Sequence, residues 1–193
     1  MKTRILAGGV HSVKQQIVRI DRQGSGTAKP AVVRDVIMRA RRAARGADAI
    51  IASDYGSGLV TGRTVTRVRP RKAQLFVDSR YNLLDFRGIT ACTPNESEVE
   101  ALTGQRIGDD KRALEKAGRS LLRKIAAEAV LVTRGSRGMA LFEPRTLTQK
   151  INIHGSDEVA DVTGAGDTVI ATVALARAAG RTFEEGARLA NYA

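Results

Sequence analysis

The chain has one cysteine, no tryptophan, two histidines and few aromatic side chains, four Phe and three Tyr among 193 residues. A lone cysteine, Cys92, excludes a disulfide framework and a zinc site built on cysteines, and its apolar neighbours make it a buried small hydrophobe. His11 and His154 stand apart from any metal-ligand spacing and read as structural or surface residues. So few aromatics leave little for base stacking on a single-stranded nucleic acid. No stretch reaches the ~18 apolar residues needed to cross a bilayer. The opening MKTRILAGGVHSVKQQ lacks the apolar core of a signal peptide, so the cytoplasm is the expected compartment. No Ser-His-Asp arrangement, internal repeat, low-complexity tract or interdomain linker is visible.

What is present is ordinary for a globular domain, with 42% hydrophobic and 27% charged residues in a chain long enough to bury a core. The net charge is +12. That balance suits phosphorylated substrates, or a nucleic acid bound by counterion release, or simply a solvated arginine-rich surface. The basic residues run along the chain, with the densest group, Arg39, Arg41, Arg42 and Arg45, inside one helical stretch.

Residues 5–20 hold apolar pieces broken at Gly8-Gly9, with Gln15–Asp21 alternating like a strand, and 22–30 read as a loop. Val32, Val33, Val36, Ile37, Ala40 and Ala44 recur at helical spacing over about 31–45. Short apolar runs at 49–52, 74–78, 89–92 and 129–133 have the composition of buried parallel strands. Helices are expected between them, near 62–69, at 96–102 ending on Gly104, and at 109–126. Strands near 138–142 and 147–153 form a hairpin around Pro144; a helix over 165–179 stops at Gly180, and another begins near Thr182. Alternating strands and helices predict an α/β fold, a mostly parallel sheet with helices on both faces. Ligands of such sheets sit beyond the carboxyl ends of the strands. Four polar segments fall there: Ser53–Gly56, Asp78–Arg80, Thr93–Asn95 and Thr133–Gly135.

The segment richest in chemistry is Asp161-Val162-Thr163-Gly164-Ala165-Gly166-Asp167-Thr168, which runs directly into an apolar helix. Small residues let backbone approach a ligand closely, and a helix start offers unpaired N–H groups to anionic oxygens. A carboxylate beside them can accept a hydroxyl proton. The plain alternative is a glycine turn with Asp167 as a helix-start acid. Glu98, in Asn95-Glu96-Ser97-Glu98, is either an acid of the first helical turn or an oxygen ligand suited to Mg²⁺. Thr133–Gly138 and Ser53–Gly58 read by themselves as turns after strands.

Taken together and in this order, these segments resemble the ribokinase-like (PfkB) family of carbohydrate kinases. The resemblance implies that Asp167 is the catalytic base and that Gly164, Ala165 and Gly166 form an anion hole for the transferred phosphate. It implies a monovalent cation, K⁺, near Asp161 and Thr163 in some members, and places Asn95 and Glu98 near ATP phosphates and Mg²⁺. Thr133, Gly135 and Gly138 match the nucleotide-binding turn, and Asp54 falls in the Asp-Tyr-Gly element near substrate or phosphate. Arg80 stands where many members carry the lysine of Asp-Pro-Lys, with a different phosphate-binding geometry.

Thr3–Ala7, Gln15–Asp21, the Ser-Asp-Tyr-Gly segment and Val162–Asp167 further resemble the heptose 7-phosphate kinase branch, which implies ATP and a sugar phosphate as ligands and, for the full-length protein, a homodimer. Against that family the chain is expected to be one partial kinase domain. Residues 1–21 are then a remnant of lid or sugar-side strands and 31–193 the nucleotide-binding and catalytic core, with the ends of the family domain missing on both sides. Two other functions remain open on the residues alone: a nucleotide-binding module without turnover, and a basic nucleic-acid binder.

Overall fold

The structure is a computed structural model and describes residues 2–8, 15–21, 28–154 and 164–193. His11, Asp161 and Thr163 lie outside the described residues. Strands β1 (Lys2–Ala7) and β2 (Gln15–Asp21) pair antiparallel in a ribbon of their own, with Ile5, Leu6, Ile17, Val18 and Ile20 exposed. Helix α1 (Pro30–Ala43) begins on the proline, whose fixed φ and missing N–H suit a first helical position. Its amphipathic stripe buries Ile37.

The main sheet follows chain order: β3 (Ala49–Asp54), β4 (Gln74–Ser79), β5 (Ala91–Cys92), β6 (Ala129–Thr133), β7 (Met139–Phe142) and β8 (Gln149–Ile151). The first four are parallel, and β7 and β8 close the end as an antiparallel hairpin. The run expected at 89–92 pairs only at Ala91–Cys92. Just before it, the Thr90 N–H donates to the Leu75 carbonyl and the Ile89 carbonyl accepts from the Glu128 N–H.

Side chains alternate between two cores, as a sheet covered on both faces requires. Leu75, Val77, Val130, Val132 and Phe142 enter the core under α2 (Gly62–Val68), α3 (Glu96–Thr103) and α4 (Lys111–Ile125). Phe76, Ala129, Leu131, Met139 and Leu141 enter the other, under α5 (Ala165–Ala178) and α6 (Phe183–Ala190). Cys92 is fully buried, and burial pushes its thiol pKa up, so it stays a neutral hydrophobe. His154 is exposed and packs at a tilt against Tyr192.

Local signals set the helix ends. Asp110 accepts from the Arg112 and Ala113 N–H groups to start α4, Thr182 and Glu185 form a capping box for α6, and Gly104 closes α3 in the left-handed region at φ 70°. Among the described residues no helix is long and apolar enough to cross a membrane.

Candidate active site

Because β3 to β6 are parallel, their carboxyl ends share one edge, and the four polar segments gather there. Register fixes the neighbours: Ser53 faces Asp78, Asp54 faces Ser79, and Asn95 bridges to Thr133, whose N–H donates to the Pro94 carbonyl.

Asp54 is buried and fully engaged. Its carboxylate accepts from the Gly56 N–H at 2.8 Å, the Ser79 hydroxyl at 2.9 Å and the Asn82 amide at 3.1 Å. The first contact is an Asx turn; the other two clamp the ends of β3 and β4 together. Nothing in the sequence signals the partners Ser79 and Asn82, which lie 25 and 28 residues away.

Asn95 and Glu98 cap α3 reciprocally, with Asn95 Oδ1 accepting from the Glu98 N–H at 2.8 Å and Glu98 Oε2 accepting from the Asn95 N–H at 2.9 Å. Glu96, one residue from the cap, grips the turn after β6. It takes Arg134 Nε at 2.7 Å and Arg137 at 2.7 Å, while Arg134 also reaches the Gly108 carbonyl and Arg137 reaches Asp109. That turn is a short 3₁₀ segment, Gly135–Arg137, between Thr133 and Gly138. Glu96 is thus a site-shaping residue that reading the helix start alone does not reveal.

The start of α5 completes the edge. Gly164 takes a left-handed conformation, φ 88°, and the Thr168 N–H is the first to pair back, onto the Gly164 carbonyl at 3.0 Å. The N–H groups of Ala165, Gly166 and Asp167 precede that first intrahelical bond, as expected for donors that take an anion. At Gly166 an added Cβ would meet no described atom within 4 Å, so the helix start opens outward. Asp167 is exposed in this first turn.

Asp78, at the end of β4, joins these elements. Burial raises its carboxyl pKa, and the negative charges of Asp167 and Glu98 raise it further. The charges of Asp167, from α5, and Glu98, from α3, therefore both reach Asp78 at the end of β4, with Arg80 exposed two residues from Asp78. Among the described residues no three acids or histidines are close enough to ligate one ion directly. A Mg²⁺ ion, which keeps most of its waters, could be met there by Glu98 and Asp78 only through those waters. The Thr93 hydroxyl, buried two residues before Asn95, has no hydrogen-bond partner among the described residues.

Residues 62–193 match the model of the pfkB family carbohydrate kinase. The chain belongs to that family. Similar curated proteins include the bifunctional protein HldE of Geobacter sulfurreducens, 38% identical over 100% of this chain, and that of Coxiella burnetii, 37% identical over 93% of it. The chain spans 39% and 37% of the length of those two proteins. Phosphofructokinase-2 from Escherichia coli in complex with fructose-6-phosphate matches with a TM-score of 0.72 at 19% identity, over 91% of this chain and 58% of that one. Arabidopsis thaliana ribokinase complexed with ribose and ATP matches at 0.65 and 25% identity, over 81% of this chain and 50% of that one. The ribokinase-like α/β fold expected from the motifs is the fold found, and PfkB sugar kinases are the family it serves here.

Proposed function

We propose that this chain is the nucleotide-binding and catalytic portion of a kinase that transfers the γ-phosphate of ATP to a sugar or sugar-phosphate hydroxyl. Heptose 7-phosphate is the substrate we favour, on the resemblance to that kinase branch. The observation that carries the reading is the meeting of Asp167, at an outward-opening helix start, with Asp78 and Glu98 at the carboxyl edge.

In this reading the Asp167 carboxylate accepts the proton of the sugar hydroxyl as its oxygen attacks the γ-phosphorus. The N–H groups of Gly164, Ala165 and Gly166 take the charge that develops on the phosphoryl oxygens. Glu98, with Asp78, would hold Mg²⁺ through its waters, and the ion supplies neutralisation of phosphate charge when bound. Asn95, Thr133, Gly135 and Gly138 line the path of the nucleotide, Arg80 reaches for a phosphate, and Asp54 holds the substrate-side strand ends in place. Asp161 and Thr163 are the proposed neighbours of K⁺.

Asp167→Asn should lower turnover by at least about 10²-fold while ATP affinity stays near wild type. The measurements are ADP release in the presence of heptose 7-phosphate and calorimetry with ATP, both on the full-length protein. Wild-type turnover in that variant would refute Asp167 as the base. A nucleotide-binding module without turnover is the second reading, favoured by the engagement of the Glu98 carboxylate in the cap of α3. ATP binding by the chain with no phosphorylated sugar formed would favour it.

A further inference from the structure

A cleft of about 390 Å³ lies between α2 and residues 85–89, away from the carboxylate edge. Its floor includes Leu75, the second residue of β4, and Ile89, two residues before β5, so it sits toward the amino ends of these strands. Val65, Phe86, Leu75 and Ile89 are all buried and give it an apolar base. The walls are close-set, since a Cβ on Gly62 would stand 2.1 Å from the Asp85 carbonyl oxygen.

Arg63, Arg67 and Arg87 line this cleft and are exposed, and none has a hydrogen bond or ion pair among the described residues. Asp85 supplies the one opposing charge in the lining, leaving a net excess of two positive charges. Arg63 and Arg67 are one helical turn apart, where like charges repel. Arg63 also sits in the first turn of α2, at the positive end of the helix dipole, and no acid shares that turn.

The wider charge distribution points the same way: the basic residues run along the whole chain, but the acids gather in its second half. Residues 88–193 carry 14 basic and 14 acidic residues, whereas 28–87 carry 13 basic and 5 acidic, and 1–27 carry 5 and 1. All of the net +12 therefore lies before residue 88, in the part of the chain that contributes α1, α2 and the cleft.

We propose that this cleft is a second anion site, which takes a small molecule carrying a phosphate or diphosphate group on a compact apolar or ring body. Guanidinium forks bind phosphate oxygens bidentately, and the volume is that of a small-ligand pocket. The site is separate from the proposed kinase centre and stands or falls independently of it.

Calorimetry with inorganic pyrophosphate at about 50 mM salt tests the anion half of the site, in the low-salt range where phosphate contacts are strong. The comparison is between wild type, Arg63→Glu with Arg67→Glu, and Arg71→Glu with Lys72→Glu. The last pair changes net charge equally but lies outside the cleft. Wild type and the control should bind alike, and the cleft variant should lose one binding event or weaken it at least about tenfold. Arg87→Ala, in a loop, should weaken the same event and decides the matter if the double variant does not fold. The proposal is overturned if wild type does not bind, if both double variants weaken equally, or if the cleft variant binds like wild type.

Discussion

Replacing Gly138 by alanine places a methyl group where the backbone of the next strand already stands. The new Cβ would be 2.1 Å from the Ile151 carbonyl oxygen and 3.0 Å from the Ile153 nitrogen. Neither atom is the end of a flexible side chain, and Ile151 is the register partner of Met139. Gly138 also holds φ 73° and ψ −136°, a region L-residues avoid. That conformation costs an alanine about 1–3 kcal/mol, and forced overpacking adds about 1–3 kcal/mol. For a domain of this size each kcal/mol moves Tm by about 2–4 °C, so the midpoint should fall by roughly 5–20 °C. Gly135→Ala separates the two effects, because Gly135 has φ 57° but no described atom within 4 Å of an added Cβ. It should cost only about 1–2 kcal/mol for the left-handed backbone. Thermal unfolding followed by circular dichroism measures both, and ATP calorimetry at a temperature where each stays folded tests the proposed role of the turn toward the nucleotide. Equal drops in Tm for the two variants would refute the steric argument against Ile151.

Glu96→Ala should leave the Arg134 guanidinium, with only 12% of its side chain exposed, without its carboxylate, at a cost of about 1–3 kcal/mol. The same variant should weaken ATP binding by freeing the 134–137 turn, and an unchanged ATP affinity would detach that turn from the nucleotide site. Asp54→Asn keeps the Gly56 contact only with its NH₂ turned toward Ser79 and Asn82, so the Ser79 hydroxyl must accept and the Asn82 amide must turn to present its oxygen. A loss of about 1–3 kcal/mol in denaturant titration is expected, and an unaltered midpoint would show that the β3–β4 clamp does not depend on charge.

Much of the fold was legible because its signals are local. Apolar runs such as Gln74–Ser79 have the composition of strands buried on both faces, and caps such as Asp110 or the pair Thr182 and Glu185 announce helix starts within a few residues. The order of the polar strand ends was enough to bring Asp54, Asn95 and Thr133 to one edge. What stayed hidden depends on distance along the chain. Glu96 meets Arg134 and Arg137 across 38 and 41 residues, and no spacing rule connects them. Asp78 was visible as a strand-end acid, but its raised pKa arises only when burial, Asp167 and Glu98 act on it together. Glu98 carried two readings in the sequence. The cap is present in the structure, and the same carboxylate still acts on Asp78, so its place at the helix start also sets its place at the edge.

The strand order of the main sheet bears on how the domain assembles in time. Each of β4 to β8 pairs with the strand made just before it, so a chain emerging from the ribosome can extend the sheet one neighbour at a time. Helix α5 breaks that progression, because it comes after β8 yet packs back over β3 and β4 at the other end. Its closure spans more than a hundred residues and carries the largest loop-closure entropy of the sheet's long-range contacts. The helix start bearing Gly164 to Asp167 should therefore be seated late, so that the carboxyl edge of the sheet is finished only when most of the core beneath it already stands.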